Sequence, residues 1–213
     1  MKRSPIVYLL TRKIARLVLS FFYKIETEMR ESLPEQGPVI ILPKHQHWTD
    51  IPLVGLAFSS PLYFVAKKEL FRYPLLRHYF TLGGGIPVDR ERAIRTLDSF
   101  KKLLDLLKRK ERIVIFPEGT YVRNVVGKGK SRLLQMILTF QEEYKIKIPF
   151  IPVGIRYGER KGWRRRVEIC IGAPLFAEKR SEAISLTRRA MEEISRLCRL
   201  PQSIADCGLR NSE

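Results

Sequence analysis

Two short runs without a single polar residue, Val39-Ile40-Ile41-Leu42 and Ile113-Val114-Ile115-Phe116, set the strongest limit on the fold. A strand with one wet face alternates apolar and polar side chains, whereas a strand that is apolar throughout must be covered on both faces by helices. The rest of the chain supplies the covering elements. Leu62 to Ala66 reads as a further strand and Pro74 to Phe80 as a short helix, and Gly83-Gly84-Gly85 permits a close turn into Ile86-Pro87-Val88. Ala93, Leu97, Phe100, Leu104 and Leu107 recur at helical spacing, which predicts a helix over 90–107 capped by Asp89. Leu133 to Tyr144 reads as a helix, Phe150 to Tyr157 and Val167 to Ile171 as strands, and Leu186, Ala190, Ile194 and Leu197 as the stripe of a last helix. The expectation is an α/β fold: one domain, with a mainly parallel or mixed sheet flanked by helices. A chain of 213 residues suffices for this, burying roughly 70% of its extended surface, and no internal repeat divides it. Beyond Pro201 no periodic signal remains, so 201–213 is expected to be a flexible tail.

The segment Lys44-His45-Gln46-His47-Trp48-Thr49-Asp50 follows the first apolar run. A histidine titrates near neutrality and can take a proton from an alcohol, and a carboxylate on its other nitrogen fixes tautomer and orientation. Five residues along an α-helix turn roughly 500°, which leaves two side chains about 140° apart, so a plain helix cannot pair His45 with Asp50. A turn into a helix N-terminus can. Pro43 closes the strand, and Thr49 or Asp50 is a natural N-cap for a helix over 51–58. His45 then stands at the carboxyl end of a strand, where α/β proteins place their sites. Taken alone, the same residues also suit a loop histidine beside a helix cap, or a hydrolase base acting on water. A metal cluster is short of ligands. The chain has three histidines, the third being His78, and Cys170, Cys198 and Cys207 show no Cys-x2-Cys spacing. No metal and no resident cofactor are expected.

Ile6, Leu10, Ile14, Leu17, Val18, Phe21 and Ile25 form nearly one helical stripe, while Arg12, Arg16, Ser20 and Lys24 follow each other on another face. The uncharged runs Ser4 to Thr11 and Leu17 to Tyr23 fall well short of the roughly 20 residues that span a bilayer. Residues 1–30 are therefore read as an amphipathic helical segment lying on a membrane surface, peripheral to the cytoplasmic leaflet; the same stripe also suits packing on the domain's own core. The net charge of +18, from 40 Lys and Arg against 22 Asp and Glu, favours polyanions. Nucleic-acid binding calls for stacking aromatics interleaved with cations or a recognition-helix module, and with neither in view no nucleic-acid partner is expected. The cluster Arg160-Lys161-Gly162-Trp163-Arg164-Arg165-Arg166 suits a hairpin tip or an anion-binding patch. Three dispersed cysteines and no secretory cleavage pattern point to free thiols in a reducing compartment.

Phe116-Pro117-Glu118-Gly119-Thr120 by itself is a strand stop. In order along the chain, however, stand His45-x4-Asp50, Gly85-Ile86-Pro87-Val88-Asp89-Arg90, Phe116-Pro117-Glu118-Gly119-Thr120 and Ile151-Pro152-Val153-Gly154-Ile155. Together they resemble the four blocks of the glycerolipid acyltransferase family that includes 1-acylglycerol-3-phosphate acyltransferases, over about residues 38–157. The resemblance implies an acyltransferase domain over 31–200. It implies transfer from acyl-CoA or acyl-acyl carrier protein, as co-substrate, to the hydroxyl of lysophosphatidic acid. By similarity His45 is the base and Asp50 its orienting carboxylate, with no covalent enzyme intermediate. Arg90 matches the family's phosphate-binding arginine, and Lys67, with Lys68 as the competing choice, matches a lysine used there. Glu118 is implied at the acceptor glycerol or in ordering the basic residues, and backbone N–H groups of Glu118, Gly119 and Thr120 suit an oxyanion. Many members follow Glu-Gly-Thr with an arginine; here Tyr121 stands in that place, and Arg123, Lys128 or Lys130 is left to supply the charge. Another lysophospholipid or glycerol 3-phosphate then remains open as the acceptor.

Overall fold

The structure, a computed structural model, describes residues 3–34, 37–88 and 97–203. In chain order its elements are α1 (Pro5–Phe22), β1 (Tyr23–Met29), β2 (Val39–Pro43), α2 (Asp50–Ala57), β3 (Leu62–Lys67), α3 (Pro74–Leu82), β4 (Gly85–Val88), α4 (Leu97–Lys108), β5 (Arg112–Val114), α5 (Arg132–Tyr144), β6 (Phe150–Lys161), β7 (Arg164–Ile171) and α6 (Ala183–Cys198). One seven-stranded sheet runs in the order β1-β7-β6-β2-β5-β3-β4. Every neighbouring pair is parallel except the β6–β7 hairpin. It is the mixed sheet expected, with β2 at its centre.

All five residues of β2 are buried, and the two-residue period of a strand sends them alternately to opposite faces. Val39 and Ile41 join Leu53, Val54 and Phe58 of the α2 region and Leu19 of α1. Ile40 and Leu42 join Leu103 and Leu106 of α4, Leu134 and Leu138 of α5, and Leu186, Ala190 and Ile194 of α6. Each such side chain contributes roughly 1.5–3 kcal/mol by leaving water, so β2 ties the two halves of the core together. Its carboxyl end, and that of β5 beside it, carry the motif residues off one rim of the sheet.

Four expectations are corrected. The N-terminal helix begins where Ser4 caps it, with Pro5 in its first turn, but ends at Phe22, not Ile25. Tyr23–Met29 is an edge strand in register with β7, Ile25 facing Val167, so residues 1–30 are not a separate helical segment. Tyr-Lys-Ile-Glu-Thr-Glu-Met has one buried-type residue at every second position, a weak signal that the preceding stripe overrides in sequence. The apolar stripe of α1 does not pack on the core: Ile6 is 78% exposed, Leu17 74% and Phe21 63%. The opposite face docks instead. Tyr8 and Leu19 are buried, the Tyr8 hydroxyl accepts from Leu62 N, and Arg12 donates to the carbonyls of Phe58 and Ser59 at the end of α2. Third, β5 stops at Val114, because Ile115 to Pro117 already turn out of the sheet even though Ile115 N still reaches Ile41 O. Fourth, the hairpin strands run further than expected, to Lys161 and from Arg164, with Gly162 (φ +62°) in the turn between them. The Gly83-Gly84-Gly85 turn forms with Gly84 at φ +93°. Asp89, Arg90, Cys207 and most of the 201–213 tail lie outside the described residues.

Candidate active site

His45 and Asp50 meet because the chain between them is a turn, not a helix. The Asp50 carboxylate sits at the first position of α2 and reaches back: its Oδ2 accepts from the backbone N–H groups of Gln46 and of His47 (2.7 Å). Thr49 precedes the helix but makes no side-chain cap bond, so Asp50 organises this turn. The same Oδ2 stands 3.2 Å from His45 Nδ1. Its partner Oδ1 accepts from the Tyr157 hydroxyl at 2.6 Å. Since that proton is committed to Asp50, the 2.8 Å contact between Tyr157 and Thr49 has the threonine hydroxyl donating. Asp50 is wholly buried and held from four directions, and its geometry fixes the imidazole. Burial first, then the adjacent Asp50 charge, drives the Tyr157 phenol well above its ordinary range, so it stays a neutral donor.

Beneath the histidine lies a buried ion pair. Lys44 Nζ is 2.8 Å and 2.9 Å from the two Glu118 oxygens and 2.6 Å from Val122 O, with both side chains essentially inaccessible. Glu118 is further occupied by its neighbours: Oε2 accepts from His45 N at 2.9 Å and Oε1 from Gly127 N at 2.8 Å. It therefore joins the ends of β2 and β5 and the 121–130 loop. Both its oxygens accept from protein donors, the arrangement of a group that orders its neighbours, one of the two roles that the family resemblance implies. Val122 N in turn donates to His45 O, closing the loop over the histidine. The imidazole is 6% exposed, stacked on Phe116 (ring centroids 3.9 Å apart) and flanked by Tyr121 at 4.4 Å. Its Nε2 has no protein partner among the described residues.

The remaining expected site residues are distributed along the same rim. Gly119 takes φ +69°, and a side chain there would lie 3.1 Å from Lys130. Its N–H closes a turn on Phe116 O at 3.0 Å, so this amide is turned into the loop and not toward an oxyanion. Thr120 and Arg123 are exposed. Lys67 ends β3 in register with Val88, and Asp89 and Arg90 lie outside the described residues. Lys68 opens the adjoining 3-10 turn at Lys68–Phe71. His47 packs edge-on against Tyr157 at 4.8 Å; burial chiefly, helped by the charges of Arg123 and Arg165, holds its pKa below the ordinary value. Three contributors escaped the sequence reading: Lys44, Tyr157 and Gln46, whose amide bridges Ile155 O and Asn124 N. A lysine directly after an apolar strand looks solvated, and Tyr157 reads as an ordinary strand residue. The one available signal was the pairing of a lone lysine and a lone glutamate at the ends of two fully apolar strands.

A family profile described as "Acyltransferase" matches residues 24–156. The 1-acyl-sn-glycerol-3-phosphate acyltransferase of Bacillus subtilis is 27% identical over 166 residues, covering 75% of this chain and 78% of that protein. A lyso-ornithine lipid O-acyltransferase of Pseudomonas aeruginosa is 32% identical over 118 residues, 55% of this chain and 43% of its own. The chain spans only 28% to 51% of the length of several other curated relatives that it matches. The crystal structure of the 1-acyl-sn-glycerophosphate (LPA) acyltransferase PlsC from Thermotoga maritima superposes with a TM-score of 0.64 at 22% identity, over 97% of this chain and 81% of that one, and so shares the fold. The profile match runs from the first edge strand to the middle of β6 and takes in the turn at Asp50, the ion pair and the loop above them. This protein belongs to the acyltransferase family.

Proposed function

We propose that this protein transfers an acyl group from an acyl thioester, acyl-CoA or acyl-acyl carrier protein, to the free hydroxyl of lysophosphatidic acid, giving phosphatidic acid. The observation that carries the reading is the unequal use of the two His45 nitrogens. Nδ1 is committed to Asp50, and Nε2 has no protein partner among the described residues. Nε2 takes the hydroxyl proton as the alkoxide forms a bond to the thioester carbonyl. When the tetrahedral intermediate collapses the carbon–sulfur bond breaks, and the imidazolium returns its proton to the departing thiolate. Arg90 and Lys67 hold the acceptor phosphate, the arginine bidentately and the lysine as a point charge. Glu118 acts from below by fixing the His45 backbone. Support for the acceptor comes from the Bacillus relative, a 1-acyl-sn-glycerol-3-phosphate acyltransferase.

The protein works from the cytoplasmic leaflet as a peripheral protein, α1 lying in the interface. Two observations support this: the exposed apolar stripe of α1, and the absence, among the described residues, of any helix long and apolar enough to cross a membrane. A second acceptor class, a lysolipid without phosphate, is favoured by one feature. Tyr121, not a cation, stands against His45, and the Pseudomonas relative carries a lyso-ornithine lipid name.

The test is incubation with labelled acyl-CoA or acyl-acyl carrier protein and a panel of lysophosphatidic acid, other lysophospholipids, glycerol 3-phosphate and lyso-ornithine lipid, followed by identification of the product. The expected product is phosphatidic acid, lost in His45→Ala. Unchanged turnover in His45→Ala refutes the mechanism, and release of free fatty acid alone shows that water is the acceptor.

A further inference from the structure

The β6–β7 hairpin carries a charge arrangement that the fold itself does not explain. Cross-strand partners at its tip are Arg160 with Arg165 and Lys161 with Arg164, so two successive pairs place like charges directly opposite each other. Such pairs destabilise a hairpin unless an anion lies against them. Their hydrogen bonds run to backbone carbonyls, which carry no counter-charge. Arg160 donates to Trp163 O, Arg164 to Tyr23 O, and Arg165 to the carbonyls of Gly158 and Tyr157. Arg166, one step further into the sheet, differs in having Glu26 and Glu168 as partners. At the turn between the pairs Trp163 is 66% exposed. A tryptophan held in solvent amid cations is out of place on a surface that meets only water, and at home at the level of lipid headgroups.

The neighbours of the tip say which anionic surface it meets. Arg164 is bonded to the carbonyl of Tyr23, the residue that caps α1 and opens β1. Val18 and Phe22 from the last turns of α1 line the same cleft as Trp163, about 1500 Å³ in volume, whose lining holds eight basic residues and two acidic ones, Glu26 and Glu159. The C-terminal end of the exposed apolar stripe, at Val18, and the cationic tip thus border one opening. An acidic protein would complement the charge but would leave the stripe and Trp163 in water; an anionic bilayer covers all three at once.

We infer that the β6–β7 hairpin is a second anchor on an anionic bilayer surface, with Trp163 at headgroup level and Arg160, Lys161 and Arg164 against lipid phosphates. The inference rests on the membrane-surface reading of α1 and adds to it a fixed second point of attachment. Trp48 and Trp163 are the two tryptophans of the chain, so Trp48→Phe leaves Trp163 as the single reporter. That variant is titrated with phosphatidylcholine vesicles with and without phosphatidylglycerol. The expected result is a blue shift of Trp163 emission and its quenching by brominated acyl chains, in phosphatidylglycerol vesicles only. The triple variant Arg160→Gln, Lys161→Gln, Arg164→Gln is expected to weaken partition into those vesicles by on the order of 100-fold. If vesicles bind the protein, and Leu17→Glu abolishes that binding, but Trp163 emission does not move or the triple variant binds normally, the hairpin inference is overturned and the reading of α1 stands. If neither kind of vesicle binds the full chain, both fall.

Discussion

Glu118→Gln separates a residue that touches substrate from one that builds the site. The replacement keeps the shape but turns one oxygen into an amide N–H2. In either orientation that group faces donors: Lys44 Nζ and His45 N on the Oε2 side, or Lys44 Nζ and Gly127 N on the Oε1 side. It also leaves the ammonium of Lys44, which is 0% exposed, without its counter-charge. Breaking a buried pair in this way costs about 3–5 kcal/mol. For a domain of this size each kcal/mol lowers Tm by about 2–4 °C, so thermal unfolding is expected about 6–20 °C lower. The histidine loses the acceptor that holds its amide, and a shift of about 1 Å in a reacting group lowers kcat on the order of 100-fold, with little change in acceptor KM. The comparison variant removes both charges, Lys44→Met with Glu118→Leu. Much of the Tm should return, since an ion pair removed as a unit leaves no orphaned charge, while kcat stays low because His45 N still lacks its partner. The assays are calorimetry and steady-state kinetics with varied acceptor. A Tm within about 2 °C of the parent, together with a raised acceptor KM and normal kcat, refutes the reasoning and returns Glu118 to the substrate.

Tyr157→Phe removes the hydroxyl that holds Asp50 Oδ1 while keeping the ring that meets His47. The expected outcome is a fall in kcat of roughly tenfold with a shifted acid limb of the pH–rate profile, because the carboxylate behind His45 has lost a donor; an unchanged profile would show that Tyr157 merely packs. Burial pushes the Cys198 thiol up to about 11, so it stays protonated in the fold at neutral pH. Native protein at pH 8 should resist iodoacetamide at this residue, and unfolded protein should not, as read by peptide mass spectrometry. The linked stability is fully present below the ordinary thiol range and is lost as pH rises through about 11, since there the unfolded chain has released a proton that the folded one retains. Melting temperatures between pH 8 and 10.5 test the sign, with Cys198→Ala expected to flatten the decline.

Apolar patterning was a good guide wherever a strand is covered on both faces. Val39–Leu42 and Ile151–Ile155 lie in strands of the expected kind, and the first and third blocks, carrying His45 and Glu118, follow the carboxyl ends of the neighbouring parallel strands β2 and β5. It misled at β1, whose half-exposed edge position gives a pattern too weak to stand against the helix before it. The His45–Asp50 pairing was legible from the need for a turn, but not what builds that turn, because a carboxylate reaching back to two backbone amides leaves no trace in residue spacing. Lys44 was unreadable for a different reason. Charge in a sequence signals exposure, and only the meeting of two distant strand ends reveals a counter-charge 74 positions away.

The passage from α1 to β1 has no spacer: Phe22 ends the helix, and Tyr23 is already paired with Arg165 in the sheet while its own N–H closes the last helical turn on Leu19 O. A tether with even a few free residues would let a bound domain tumble above the surface that holds it. Here no torsion is left to spend on tumbling. The helix is therefore tied to the sheet at two places, by the β1–β7 pairing that begins at Tyr23 and by the docked face that carries Tyr8, Arg12 and Leu19, which fixes its direction relative to His45. Inserting two glycines at that junction would pull against both anchors at once, the docked face of α1 and the Tyr23 ring that meets Tyr157 beside Asp50.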